Sequence, residues 1–137
     1  MKTFTIRLLP GQDLMNSIAD FVRAERIEAG CIVTCVGSLT KSMIRYANQG
    51  MTSEMEGYFE IVSLVGTVAM SGSHLHISIS DGKGKTTGGH LMEGCLVYTT
   101  AEIVIAVFPE LVYRRELCEE SGYAELVVYS VQEVNGK

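Results

Sequence analysis

The chain has 137 residues, enough for one domain with a real hydrophobic core, and we expect a single domain over residues 1–137. Hydrophobic residues make up 47% of the sequence and charged residues 20%, which excludes an intrinsically disordered chain. The formal net charge of −5 disfavours direct DNA binding, because neutralising backbone phosphates normally requires a clustered basic surface.

The first residues, MKTFTIRLLPGQDL, contain no long apolar segment, and no stretch reaches the roughly 18 apolar residues required to span a bilayer. The four cysteines form no CxxC motif and are too sparse for a secreted disulfide scaffold: Cys31, Cys35, Cys95 and Cys118. We therefore expect a cytoplasmic protein with reduced thiols and no membrane partner.

The predicted elements begin with a strand over residues 2–9, which ends at Pro10 and Gly11. A helix follows from Asp13, a candidate N-cap, and runs to Gly30, a natural C-terminal stop. Its apolar residues recur at helical spacing: Leu14, Ile18, Phe21 and Val22. This is the clearest helix in the sequence.

After the helix the period changes to that of strands, and valine, isoleucine and tyrosine dominate the runs 31–37, 42–47, 58–70, 74–80, 95–100, 102–108 and 124–131. Gly66 lies inside an apolar run, where a bulge or a close approach of two backbones is expected. Residues 48–57 are the most loop-like, and 109–123 is predicted to be a short helix or an ordered loop. The pattern predicts an α+β fold with a mixed, largely antiparallel sheet of about six to eight strands, one main helix and one or two short helices.

All three histidines lie in one stretch, HLHISISDGKGKTTGGHL, at residues 74–91. On a strand, His74 and His76 share one face with two serines, while three apolar residues occupy the other face. Side chains at this spacing lie roughly 6 to 7 Å apart along the strand, so both imidazoles can reach one ion. His90 joins them only if the returning chain places residue 90 opposite 74 or 76, because a slip of one residue turns it to the other face.

Two interpretations of this stretch stay open: a solvated strand face, or a metal site that is complete in one chain or completed across a subunit interface. Zinc is the first metal to consider, and another divalent transition metal the alternative, because three neutral imidazoles with one open position form a typical catalytic zinc set. Asp81 and Glu102 are candidate extra ligands or outer-shell partners, although a turn residue and a strand-edge charge are simpler roles for them. A phosphate loop is excluded, because DGKGKTTGGH leads back into strand-like sequence and not into a helix.

Five short motifs occur in order along the chain: GSL at 37–39, SLVGT at 63–67, HLHISISD at 74–81, GGHL at 88–91 and TAEIVI at 100–105. Taken together they resemble the PPC domain, the plant and prokaryote conserved domain, over almost the whole chain. The resemblance implies an α+β domain that assembles as a homotrimer, with sheet surfaces packed between protomers. It also implies a metal-binding role for the matching histidines His74, His76 and His90.

In plants the PPC domain follows AT-hook segments in nuclear DNA-binding proteins, where it supports oligomerisation and protein contacts. No Arg-Gly-Arg-Pro hook occurs in this sequence, so DNA association is implied by the resemblance alone. A trimer could nevertheless form a basic patch from side chains of several subunits, even though each chain has a negative net charge. The candidate residues are Lys41, Arg45, Lys83 and Lys85.

These observations lead to a stand-alone, homotrimeric PPC-domain protein that is a DNA-associated or regulatory binding module with a histidine metal site. The alternative is a small zinc enzyme in which the three histidines hold the metal and the open position activates water. The sequence does not decide whether the chain is an enzyme.

Overall fold

The computed structural model describes residues 1–136, which form eight strands and two helices. In chain order these are β1 (Lys2–Leu8), α1 (Leu14–Ala24), β2 (Gly30–Arg45), β3 (Ser53–Val68), β4 (His74–Ser80), β5 (Thr86–Leu91), β6 (Leu96–Val107), β7 (Leu111–Leu117), β8 (Ala124–Ser130) and α2 (Val131–Asn135). The predicted α+β class with one main helix is therefore confirmed, and α2 is a short second helix.

Helix α1 begins where the sequence predicts. A carboxylate oxygen of Asp13 accepts a hydrogen bond from the backbone N–H of Asn16 at 2.9 Å, which satisfies one of the free donors of the first turn. The helix ends at Ala24 and not near Gly30, because Arg26 has a φ of 52°, in the left-handed region that a continuing helix does not use. Its buried residues join the core of the sheet: Leu14, Ile18 and Val22.

Six strands form the main sheet in the order β1-β6-β2-β3-β4-β5, and the pairings between the described strands are antiparallel throughout. Strand β5 also pairs with the last residues of β2, through Ile44 with Leu91 and Arg45 with His90. The sheet therefore curls until β5 meets β2 again. Strands β7 and β8 form a separate two-stranded hairpin.

Two pairs of predicted strands are each one long strand. Residues 31–37 and 42–47 both fall largely within β2, which lies between β3 and β6 and pairs with both, with register shifts near Leu39. Residues 95–100 and 102–108 both fall largely within β6. Because β2 pairs with a strand on each side, it stays extended through its polar middle section. A local sequence pattern does not contain this information about strand partners.

Residues 109–123 contain a strand, so the prediction of a short helix or ordered loop was wrong. Strand β7 pairs with β8 along its whole length, from Leu111 with Ser130 to Leu117 with Ala124. Periodicity cannot separate helix from strand in a short apolar run, and here the partner strand decides. Strand β3 likewise begins at Ser53, inside the segment predicted to be loop.

One large hydrophobic core joins α1 to the buried face of the main sheet. Each fully buried leucine or isoleucine there stabilises the fold by on the order of 1.5–3 kcal/mol. Cys35 and Cys95 belong to this core as free thiols, and burial raises their pKa to about 12 and about 11. Both side chains pack among the apolar residues of the core, and the Cys95 thiol also donates a hydrogen bond to the Met43 carbonyl oxygen. Across residues 1–136, no helix combines the length and apolar character that crossing a bilayer requires.

Candidate metal centre

Strand β4 presents two histidines on one side of the sheet. His74 and His76 are exposed, whereas the alternate residues point into the core: Leu75, Ile77 and Ile79. The alternation that the sequence predicts is therefore present, and it leaves both imidazoles free of the core packing.

Strand β5 returns beside β4 in the register that brings the third histidine to the same face. The ladder pairs His76 with His90 at one end and Ser80 with Thr86 at the other, which leaves residues 81–85 as the turn. Opposed residues of an antiparallel ladder project from the same face of the sheet. All three imidazoles therefore lie together, as the sequence requires for a three-histidine site.

Glycines let the strands approach closely around these histidines. A Cβ on Gly66 of β3 would collide with the carbonyl oxygen of His74, and its φ of +139° is one that side chains rarely adopt. On β5, a Cβ on Gly89 would lie 2.6 Å from the carbonyl oxygen of Arg45. Gly66 therefore marks the close backbone approach that the sequence predicts, while the irregularity of β3 lies between Ile61 and Ser63.

The three imidazole rings converge on one point. The Nε2 atoms of His74 and His76 are 3.2 Å apart. Ring centroids are separated by 5.0 Å for His74 and His76, 5.0 Å for His74 and His90, and 5.6 Å for His76 and His90. One ring nitrogen of each histidine lies within 4.8 Å of the other two.

This donor set suits a tetrahedral divalent transition metal. Zinc–nitrogen bonds of about 2.0–2.1 Å place two ligand nitrogens of a tetrahedral ion roughly 3.3 Å apart. The His74 and His76 nitrogens already have nearly this separation, at 3.2 Å, and the His90 ligand nitrogen lies within 4.8 Å of both. Three imidazoles leave a fourth coordination position free for water or a ligand.

The surroundings favour the neutral imidazoles that bind metals. Burial lowers the pKa of His74, and the charges of His76 and Arg115 lower it further, against an opposing effect of Glu125. Burial also lowers the pKa of His90, followed by the charges of His74 and Arg45. Both shifts favour the neutral imidazole, the form that binds a metal.

The two carboxylates considered from the sequence lie away from the histidines. Asp81 is in the turn at the other end of the β4–β5 hairpin, where its Oδ1 accepts the backbone N–H groups of Lys83 and Lys85 at 2.9 Å each. Glu102 lies on β6, opposite Arg7 of β1. The one group of candidate ligands within residues 1–136 consists of the histidines without either carboxylate.

The β7–β8 hairpin brings side chains to the histidines that the sequence reasoning missed. Arg115 donates a hydrogen bond to Thr67 Oγ1 at 2.9 Å, and Thr67 is the ladder partner of His74. A cleft of about 420 Å³ lies between this hairpin and the sheet, and we call it the histidine cleft. Its lining includes Arg45, His74, His90, Arg115, Tyr123 and Glu125.

A larger hollow of about 590 Å³ adjoins the histidine cleft and shares Arg45, His74, His90 and Tyr123 with it. Its far wall is the segment after β2, residues 46–50. The position between the three rings is therefore reachable from solvent. No local sequence pattern predicts that Tyr123 and Glu125 lie near the histidines. Their position depends on how the β7–β8 hairpin packs against the main sheet.

The family model of the Plants and Prokaryotes Conserved (PCC) domain, the domain abbreviated PPC above, matches residues 1–109. The chain belongs to this family. The matched part of the PPC domain contains the three histidines and Arg45, and it stops before β7. Arg115, Tyr123 and Glu125 therefore come from the segment that follows the matched residues.

Curated relatives of this PPC domain are larger proteins. The bifunctional protein GlmU of Synechococcus sp. (strain JA-3-3Ab) is 40% identical over 133 residues, which is 97% of this chain and 21% of that protein. The AT-hook motif nuclear-localized protein 13 of Arabidopsis thaliana is 30% identical over 115 residues, or 75% of this chain and 26% of that protein. The chain thus spans about a fifth to a quarter of the length of these relatives.

Solved structures share the PPC fold over nearly the whole chain. A hypothetical protein from Salmonella enterica is 43% identical and superposes with a TM-score of 0.94, covering 95% of this chain and 94% of that one. A metal-containing protein from Archaeoglobus fulgidus is 27% identical with a TM-score of 0.79, covering 93% of this chain and 94% of that one.

Proposed function

We propose that this chain is a homotrimeric PPC-domain protein that acts as a binding or regulatory module and holds a divalent transition metal, zinc in the first instance, at His74, His76 and His90. The convergence of three imidazole nitrogens within 4.8 Å carries the proposal. The metal-containing protein from Archaeoglobus fulgidus, with the same fold at 27% identity, supports it. A metal bound there would supply a Lewis acid with one exchangeable position.

Metal analysis of the purified protein tests this site. We expect about one zinc or other divalent ion per chain after dialysis, and loss of that metal in the double variant His74→Ala, His76→Ala. Ser80→Ala is the matched control, because Ser80 lies at the far end of the same strand, away from the imidazoles. Metal-free parent protein, or a double variant that keeps its metal, would contradict the proposal.

An exposed apolar surface on the main sheet supports contact with another chain, which the proposed homotrimer requires. Four valines on the neighbouring strands β2 and β3 are each more than half exposed: Val33 at 58%, Val36 at 58%, Val62 at 57% and Val65 at 55%. Apolar side chains grouped on one sheet face usually mark a contact with another protein. Val65 is the ladder partner of His76, so a neighbouring subunit on this face would approach the metal position.

Sedimentation at micromolar concentration tests the assembly. We expect the parent chain to sediment as a trimer and the Val62→Lys variant to dissociate, because a buried lysine without a partner is strongly unfavourable at an apolar contact. Met51→Lys is the control, because Met51 is 82% exposed in a segment outside the strands. A monomeric parent would contradict the trimer.

A small metal-dependent enzyme is the second candidate, and Glu125 is the observation that favours it. Glu125 lines the histidine cleft, and its charge opposes the lowering of the His74 pKa, so it would be the candidate proton acceptor for a water if the histidines held a metal. Hydrolysis or lyase activity that is lost in Glu125→Gln and in the histidine double variant would support this. Activity that survives removal of the metal would contradict it.

DNA association is a further proposal that follows from the kinship with AT-hook proteins. In one chain the basic residues are dispersed, because Lys41 pairs with Glu54 at 3.1 Å and Arg45 lies in the histidine cleft, at the opposite end of the hairpin from Lys83. A basic patch would therefore have to come from several chains. Binding to duplex DNA that weakens steeply with salt would support it, and absence of binding at low salt would refute it.

A further inference from the structure

Two arginine side chains beside the histidines have no acidic partner. Arg45, the last residue of β2, is the ladder partner of His90 and therefore projects from the same face of the sheet. Its side chain is exposed, and no carboxylate lies within ion-pair distance of it in residues 1–136. The guanidinium thus faces the histidine cleft with all its donors available.

Arg115 reaches the same cleft from the β7–β8 hairpin. Its guanidinium donates to Thr67 Oγ1 at 2.9 Å, which fixes its position beside His74, yet it forms no ion pair within the described chain. The preceding residue, Arg114, shows the usual arrangement, since it pairs with Glu28 at 2.7 Å. Arg115 therefore keeps donors directed at the cleft while its neighbour has a structural partner.

The charges of the cleft favour an anion at its entrance. Arg45 and Arg115 contribute two positive charges, and Glu125 contributes one negative charge, so these three side chains carry a net charge of +1. The whole chain carries −5, which makes this cleft a local exception on an acidic protein. Its volume of about 420 Å³ is within the roughly 300–1,000 Å³ range of small-molecule sites.

Guanidinium groups recognise carboxylates through two parallel N–H···O hydrogen bonds. We propose that the histidine cleft binds a small organic carboxylate, whose carboxyl group lies against Arg45 and Arg115. A metal held by the three histidines would offer a further contact to a second oxygen of the ligand. This names the ligand class of the site put forward above, and its metal contact rests on that proposed function. Inorganic phosphate can accept the same paired hydrogen bonds from a guanidinium, so the titration below compares the two anions.

Calorimetric titration with malonate tests the proposal on zinc-loaded protein. We expect malonate to bind the parent, and its affinity to fall about tenfold to a hundredfold in Arg45→Gln and in Arg115→Gln, as expected for the loss of a hydrogen bond to a charged group. Metal content should stay the same in both variants, because neither arginine is a ligand. With cobalt(II) in place of zinc, malonate should also change the visible absorption spectrum of the parent.

Arg23→Gln is the matched control, since it removes the same charge from an exposed position on α1 where Arg23 pairs with Asp20. Arg45→Gln decides the proposal even if Arg115→Gln is destabilised, because the Arg45 side chain forms no hydrogen bond or ion pair within the described residues. No binding of malonate to the parent, or equal affinity in the parent and Arg45→Gln, would overturn the proposal. Inorganic phosphate binding more tightly than malonate would overturn the choice of a carboxylate.

Failure of the metal site and failure of the carboxylate site give different results. If the purified parent holds no metal, the proposed function fails, and malonate titration of that metal-free protein still tests the arginine pair. Binding that is lost in Arg45→Gln then supports the carboxylate site, and absence of binding refutes it. If the metal is present and malonate does not bind, only the carboxylate proposal fails.

Discussion

The two ends of the β4–β5 hairpin carry ionisable side chains in opposite circumstances. At the turn end, Asp81 accepts two backbone hydrogen bonds from residues within four positions of it, and these bonds lower its pKa. At the open end, three imidazoles face one another, and burial together with neighbouring positive charge lowers the pKa of His74 and of His90. The carboxylate is satisfied by its own turn, whereas the imidazoles have ring nitrogens left over.

This difference shows why one end is structural and the other is a candidate site. A group whose hydrogen-bonding capacity is used by its own backbone stabilises the local conformation and has little left for a ligand. Groups that are held together by the register of separate strands, with unused donor atoms, can bind a ligand without rearranging the fold. Four experiments test this contrast between the two ends.

Replacing Gly66, which lies against the backbone of His74, should have the largest effect on stability. In Gly66→Ala the new Cβ would collide with the carbonyl oxygen of His74 at a φ of +139°. We expect the free energy of unfolding to fall by on the order of 3 kcal/mol, with loss of bound metal. Gly82→Ala, in the turn with nothing within 4 Å of the new atom, should change it by less than roughly 0.5 kcal/mol. Equal urea midpoints for the two variants would contradict this account.

Removing the histidine of β5 should weaken metal binding without unfolding the protein. Loss of a residue that only hydrogen-bonds to a metal ligand lowers metal affinity by up to roughly 100-fold. Because His90 is a proposed ligand itself, we expect zinc affinity to fall by more than this in His90→Ala. Thr86→Ala is the control, because Thr86 lies at the turn end of the same strand. Competition with a chelator measures both affinities, and comparable values in the two variants would show that His90 is not a ligand.

The two ends should respond to acid in different pH ranges. For His74 and His90 the pKa in the folded chain lies below the ordinary 6.5, so the unfolded chain binds protons first as the pH falls. Their contribution to metal-free stability is complete above pH 6.5 and is lost as the pH falls through the folded pKa values. The contribution of Asp81 persists down to its ordinary pKa of 3.8 and is lost below it. A plot of the urea unfolding midpoint against pH should show two steps. The double variant His74→Gln, His90→Gln should remove only the step at higher pH.

Changing the turn carboxylate should have the smallest effect. Asp81→Ala removes the acceptor of two backbone hydrogen bonds in a solvent-exposed turn, so we expect a small decrease in the thermal midpoint. Metal content should not change, because Asp81 lies at the far end of β4 from the imidazoles. A loss of metal in this variant would place Asp81 in the site after all.

Features set by near neighbours in sequence were predictable, and features set by distant contacts were not. The alternation on β4 and the N-cap at Asp13 follow from residues a few positions apart, and both are confirmed. From the sequence we could say that His90 joins the other two histidines only if residue 90 pairs with 74 or 76. Whether it does depends on how β5 fits between β4 and β2, which the sequence pattern does not show. Arg115 and Glu125 reach the histidines only through packing of the β7–β8 hairpin, which no local pattern in the sequence encodes.

The glycine pair of β5 limits how this histidine hairpin could be reused in protein engineering. Gly88 lies against the backbone of β4 and Gly89 against the backbone of β2, with no room for a side chain at either contact. If only residues 74–91 were copied into another sheet, the β5 strand would contain two flexible glycines. Gly89 would then lack its contact with the backbone of β2. A faithful transplant has to include the last residues of β2, so the smallest portable unit is three strands and not a hairpin.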